Sequence, residues 1–185
     1  MKRHITFLLF YLLVFSGCKT KQPLTERSPV VKQADNTVKM TDFSEQSTWL
    51  LGYFPADRLK KPPYSEWFQK GYDDYQFNTD AVNKLTDLGK DNLSIKIVMG
   101  TWCPDSRREV PRFMRIIDLW KFPPDKITFI GVDNAKLSPV GEYDQLNIQR
   151  VPTFIFYKNN IEVGRIIENP VTSLEQDIVN ILTRK

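Results

Sequence analysis

The sequence predicts an α/β domain of three layers: a central mixed sheet, flanking helices, and a C-terminal β-hairpin followed by a helix. Three observations predict it. Apolar runs at 93–99 and 127–132 bracket a long amphipathic stretch at 104–120, the pattern of two parallel strands joined by a helix. A second pair of runs, 153–157 and 162–167, is separated by Lys158-Asn159-Asn160, whose asparagines tolerate turn backbone. An amphipathic segment after Ser173 then closes the chain. A parallel core with a terminal hairpin and helix needs helices packed on the sheet to bury it.

Each element follows in order. Residues 47–54 read as a strand, and 55–64, with three prolines, as a loop. Residues 66–77 are rich in aromatics and read as extended or strand-like. Asn78, Thr79 or Asp80 caps a helix over 81–88 with Val82, Leu85 and Leu88 on one face, and Gly89 stops it. The helix at 104–120 carries Val110, Phe113, Ile117 and Trp120 on its inner stripe, and Pro123-Pro124 ends that stretch. Residues 138–149 suit a short helix and loop. The last helix points Leu174, Ile178 and Ile181 or Leu182 inward. The order is β, α, β, α, β, short α, β, β, α, without internal repeats.

The chain has 185 residues, 41% of them hydrophobic and 12% aromatic, which suffices for one domain with its own core. Its net charge is +4, but Lys2 and Arg3 account for two of those charges, and the rest are mixed in sign along the chain. That pattern speaks against nucleic acid as a partner. The single histidine is His4. Beyond the first residues the chain therefore has no Ser-His-Asp or Cys-His catalysis and no His-based zinc site. No metal and no cofactor is expected.

The N-terminus reads as a targeting segment. A basic start is followed by an apolar run over 5–15, too short to span a bilayer comfortably, and then by Ser16-Gly17-Cys18. The stretch Phe15-Ser16-Gly17-Cys18 resembles a bacterial lipobox, with Phe15 in place of the usual Leu. That resemblance implies a signal peptide over 1–17, and lipidation (palmitate among the acyl chains) of Cys18 as the first mature residue. Residues 18–40 are polar and without apolar period, as in a flexible tether. The domain is expected over 41–185, with 41–80 as an N-terminal extension. Lys19 after the lipidated cysteine, by resemblance to sorting signals, implies a bacterial cell-envelope location at the outer membrane, facing the periplasm.

With Cys18 lipidated, Cys103 is the remaining free thiol of the two cysteines. It stands in Thr101-Trp102-Cys103-Pro104-Asp105-Ser106, where a strand runs into a helix. A cysteine at a helix N-terminus faces unpaired N–H groups and the positive end of the macrodipole, a setting that favours thiolate. Pro104 suits the first turn, where an N–H has no partner to lose. Arg107 and Arg108 add positive charge. One is expected to reach toward the sulfur and the other to be solvated or to pair with Asp105 or Glu109. The thiol is expected to be exposed. Trp102 either packs in the core or shapes the site. Trp49, Trp67 and the tyrosines at 64, 72 and 75 read as packing, with a groove-lining aromatic set as the other reading.

Three features together resemble thioredoxin: Trp102-Cys103 before the helix, Pro111 inside it eight residues on, and Val151-Pro152-Thr153 leading into an apolar strand. The resemblance covers roughly 80–185. It implies a thioredoxin-like sandwich, a cis Pro152, and a substrate strand paired with the backbone beside Cys103. It assigns Trp102, Pro104, Arg107, Val151, Pro152 and Thr153 to substrate binding. Two departures shape the chemistry it implies. The family's second cysteine is here Ser106, and its buried acid, six residues before the first cysteine, is here Ile97. Serine cannot displace a mixed disulfide. What remains is single-thiol exchange, in which Cys103 attacks and an outside thiol resolves the adduct. Ser106 is then expected to donate a hydrogen bond to the thiolate. The expected partners are disulfide- or thiol-bearing envelope proteins or small thiols, acted on by a monomer. The competing reading is a thioredoxin-fold binding module that keeps the groove without turning over disulfides.

Overall fold

A computed structural model describes residues 48–184. The stretches expected to be signal peptide and tether, with Cys18, lie outside the described residues, as does Ser47. Five strands, β1 (Gly52–Phe54), β2 (Leu93–Met99), β3 (Ile127–Gly131), β4 (Thr153–Lys158) and β5 (Ile161–Ile167), form one sheet in the order β1-β3-β2-β4-β5. Only the β2–β3 pair is parallel, and all other neighbours are antiparallel. The parallel core is therefore a single pair within a mixed sheet.

The pleat assigns the two faces. Ile95, Ile97 and Met99 of β2 join Phe129, Phe154 and Phe156 under the helices α1 (Ser65–Asp73), α2 (Thr79–Asp87), α3 (Pro104–Trp120) and α4 (Leu174–Thr183). Val98, Ile130 and Ile155 point the other way, into a smaller cluster with Tyr143 and Leu146. There the cover is irregular chain containing one 3-10 turn, Tyr143–Leu146. The third layer is thus thin, and the short helix expected within 138–149 is that single turn.

Local chemistry explains most boundaries. Asn78 accepts a hydrogen bond from Ala81 N and caps α2, and Ser173 accepts one from Gln176 N and caps α4. Asn159 and Asn160 both have positive φ, 51° and 62°, which closes the β4–β5 hairpin in two residues. Among the described residues, no helix is long and apolar enough to cross a membrane.

Two expectations need correction. Most of 66–77 is helical, not extended: α1 covers Ser65–Asp73. Tyr64, Phe68 and Tyr72 recur every four residues, so the aromatics share a helical face, with Tyr64 and Phe68 buried. Packing on α3 overrides their intrinsic preference for strands. The approach is close, since a Cβ at Gly71 would lie 2.6 Å from Pro111 Cγ. Likewise, the strand foreseen over 47–54 pairs only at Gly52–Phe54. Residues 48–51 instead run as a strap across the end of the sheet, where Gly131 leaves room for the Leu50 carbonyl.

Candidate functional site

The site lies where β2 ends and α3 begins. The chain turns at Gly100, and Cys103 N donates to Gly100 O at 3.0 Å. That turn needs a glycine, because a Cβ at 100 would sit 2.5 Å from Trp102 Cε2. Cys103 is the N-cap residue of α3, with extended backbone (φ −78°, ψ 125°), and Pro104 opens the helix, exposed. The Cys103 thiol donates to the Val151 carbonyl at 3.3 Å, and the Val151–Pro152 peptide is cis. Cys103 is only 6% exposed, within the apolar cluster of Val98, Ile130, Val132 and Val151. The expectation of an exposed thiol is thus corrected: the cis-proline turn closes over the sulfur.

Three neighbours are placed differently from their expected roles. Ser106 is fully buried, and its Oγ accepts a hydrogen bond from Gly100 N at 3.3 Å. Among the described residues no hydrogen bond joins Ser106 to Cys103. The serine instead ties the helix to the turn before it. Arg107 does not reach the sulfur, because its Nε donates to Thr101 O at 2.6 Å. Arg108 pairs with Asp105 at 2.7 Å and Glu109 at 2.6 Å, so of the two arginines it is the one that meets the expected acids. Trp102 is half-buried and fixed, with Nε1 donating to Val132 O at 3.0 Å.

The opposite wall is the turn before β4. Val151, Pro152 and Thr153 are all buried. Thr153 Oγ1 donates to Arg150 O at 2.6 Å and closes the turn. Pro152 O is occupied by Glu168 N at 2.7 Å. Among the described residues the Val151 N–H has no hydrogen-bond partner, so a donor and an acceptor of Val151 meet beside the sulfur. At the rim of this cluster, burial above all pushes the Tyr143 phenol up to about 12, with Asp133 and Asp144 adding to it. Its hydroxyl donates to Lys136 O.

Some contacts around the site escaped the sequence reading. Trp49 and Trp102 face each other with ring centroids 6.2 Å apart, and Thr101 is buried and bonded to the strap. Thr101 sits inside the motif, which was a usable signal; Trp49 was read as packing or as part of a groove-lining aromatic set, and only the fold pairs it with Trp102. Glu109 is 3% exposed between Arg108 and Arg112, and Glu175 is 1% exposed beneath Tyr75. Burial and the Glu175 hydrogen bond raise the Tyr75 phenol far above its usual range. Glu109 was expected as an arginine partner, and for Glu175 an acid on an apolar helix stripe was the only mark. Among the described residues, no group of three His, Cys, Asp or Glu is placed to hold a metal ion.

No family model matches the chain. A thioredoxin from Coprinus comatus is 32% identical over 98 residues, 53% of this chain and 87% of the relative. The chain belongs to the thioredoxin family. A thioredoxin-like protein of Acanthamoeba polyphaga mimivirus is 28% identical over 96 residues, 51% of this chain and 67% of that protein. Among solved structures, thioredoxin O2 from Arabidopsis thaliana in the oxidised state aligns with a TM-score of 0.38 and 22% identity, over 56% of this chain and 85% of that one. As a member of the thioredoxin family the chain keeps the fold built for thiol-disulfide chemistry. At the position of the family's buried acid, Ile97 is fully buried between Phe129 and Phe154.

Proposed function

We propose that this thioredoxin-like protein carries out thiol-disulfide exchange through one thiol, Cys103. One observation carries the reading: Cys103 caps α3 with its sulfur 3.3 Å from the carbonyl of a cis Val151–Pro152 peptide. A substrate strand that pairs with the Val151 N–H and C=O brings its own disulfide against that sulfur. Its N–H competes for the carbonyl that now holds the thiol proton. The Cys103 thiolate then attacks one sulfur, the substrate S–S bond breaks, and the departing thiolate takes up a proton. The adduct is a Cys103 mixed disulfide. Ser106 cannot resolve it. An outside thiol attacks instead, which regenerates Cys103 and leaves with the substrate sulfur in a new disulfide. In these steps Ser106 and Arg107 hold the turn, Trp102 and Pro104 shape the rim, and Val151, Pro152 and Thr153 present the pairing edge.

The lipobox-like start supports placing this chemistry in a bacterial cell envelope, with Cys18 lipidated and the domain tethered, on the periplasmic side of the outer membrane. Its partners there are disulfide- or thiol-bearing proteins or small thiols, met by a monomer. The test is capture in the native setting. Cells are quenched in acid and alkylated, and adducts are resolved without reductant. Adducts that vanish in Cys103→Ser support the reading; a wild-type profile identical to that of Cys103→Ser sinks it.

The burial of Cys103 favours a second reading, a binding module whose groove takes extended chains without exchange. It predicts that a peptide binds equally well to Cys103→Ser and that no adduct forms.

A further inference from the structure

The geometry points to a role for the strap at 48–51: acting through Thr101, it holds the Trp102–Cys103 turn in place, so Thr101 is a positioning residue of the site. This rests on the reading of Cys103 as the reactive group. The sheet register brings the two together. Gly52 lies opposite Gly131, and Gly131 lies opposite Met99, the last residue of β2. The chain entering β1 therefore reaches the sheet at the end from which the cysteine turn departs.

The contact is built. Thr101 is 2% exposed, and its hydroxyl is used in both directions. It accepts from Leu50 N at 3.2 Å and donates to Thr48 O at 3.5 Å. Tyr64 OH donates to the same Thr48 carbonyl at 2.5 Å, which fastens the strap from the residue just before α1. Trp49 rests on Trp102 with the rings tilted by 51°. Gly131 lets the strap pass, since a Cβ there would be 2.0 Å from Leu50 O. From the other side Arg107 grips the Thr101 carbonyl. Thr101 is thus held through its side chain by the strap and through its backbone by α3. Two residues further on, the sulfur is held under Val151. Freeing Thr101 frees the turn, and the turn carries Cys103 away from the carbonyl that covers it.

The test is the rate at which iodoacetamide labels Cys103 in the full chain, followed on the Cys103-containing tryptic peptide. Thr101→Val keeps the shape but leaves Leu50 N and Thr48 O without that hydroxyl. It is expected to raise labelling about fivefold, the equivalent of one hydrogen bond. Thr101→Ser restores the hydroxyl and is expected to stay within about twofold of wild type. The acceleration is expected to be flat across low urea, because local opening exposes little surface and global unfolding exposes much. Tyr64→Phe, which removes only the strap's second fastening, is expected to shift labelling the same way and decides the matter should Thr101→Val not fold. Wild-type labelling in the variant that folds, or an increase that climbs steeply with urea, overturns the proposal. Should labelling follow the expected pattern while no peptide disulfide reacts with Cys103, the exchange reading falls and the positioning role stands.

Discussion

Ser106 illustrates how one side chain changes meaning between motif and structure. In the motif it is the missing second cysteine. In the fold it is a buried acceptor for Gly100 N. Ser106→Ala is therefore expected to lower stability by about 1–3 kcal/mol, the cost of leaving that N–H unpaired, as read from urea unfolding. An unchanged midpoint would show that the bond contributes nothing. Tyr143 makes a prediction in pH. Its phenol lies near 10 in an unfolded chain and is pushed up to about 12 here, chiefly by burial. A raised value means that folding favours the protonated form. The stabilisation is whole below about pH 10 and is lost as pH rises toward about 12. Tyr143→Phe is expected to shrink the loss of stability across that window. Some loss remains, since burial also raises Tyr72, Tyr75 and Tyr157. Equal alkaline loss in the variant and wild type would contradict this.

At the scale of elements, the contact between α1 and α3 is the sharpest feature. Gly71 faces Pro111 so closely that Gly71→Ala must push the helices apart. Overpacking of this kind costs about 1–3 kcal/mol, and a lowered melting temperature with α3 still helical is the expected result. A variant as stable as wild type would mean that the interface yields freely. Legibility divides along the same line. β2 and α3 stand at the residues read from sequence, 93–99 and 104–120, because alternation, an N1 proline and an apolar stripe are local signals. The hairpin was equally local, written in Asn159 and Asn160. α1 was not legible, because its aromatics resemble a strand until α3 is there to bury one face. The strap was not legible either, since Leu50 finds its partner at Thr101, far along the chain. The burial of Cys103 has the same cause: its cover comes from Val151, on another element.

For the whole molecule, family membership and fold rest on the half of the chain that the Coprinus comatus thioredoxin matches. The lipobox-like start and the strap lie outside the region that resembles thioredoxin, and the serine in place of the second cysteine lies within it. The first makes a direct prediction. Palmitate fed to cells is expected to label the full chain and bring it into the membrane fraction, and Cys18→Ala is expected to lose both. Unlabelled wild-type protein in the soluble fraction would contradict the anchor. The central claim is that Cys103 starts an exchange it cannot finish, and intact mass tests it most directly. Cys18→Ala leaves Cys103 as the chain's one thiol. Mixed with a peptide disulfide, this chain is expected to gain the mass of one half-peptide at Cys103. Once the released peptide thiol is removed, the adduct persists until a small thiol is added, and the free thiol of Cys103 then returns. No adduct at any peptide concentration, or an adduct that clears with no free thiol present, would contradict the account.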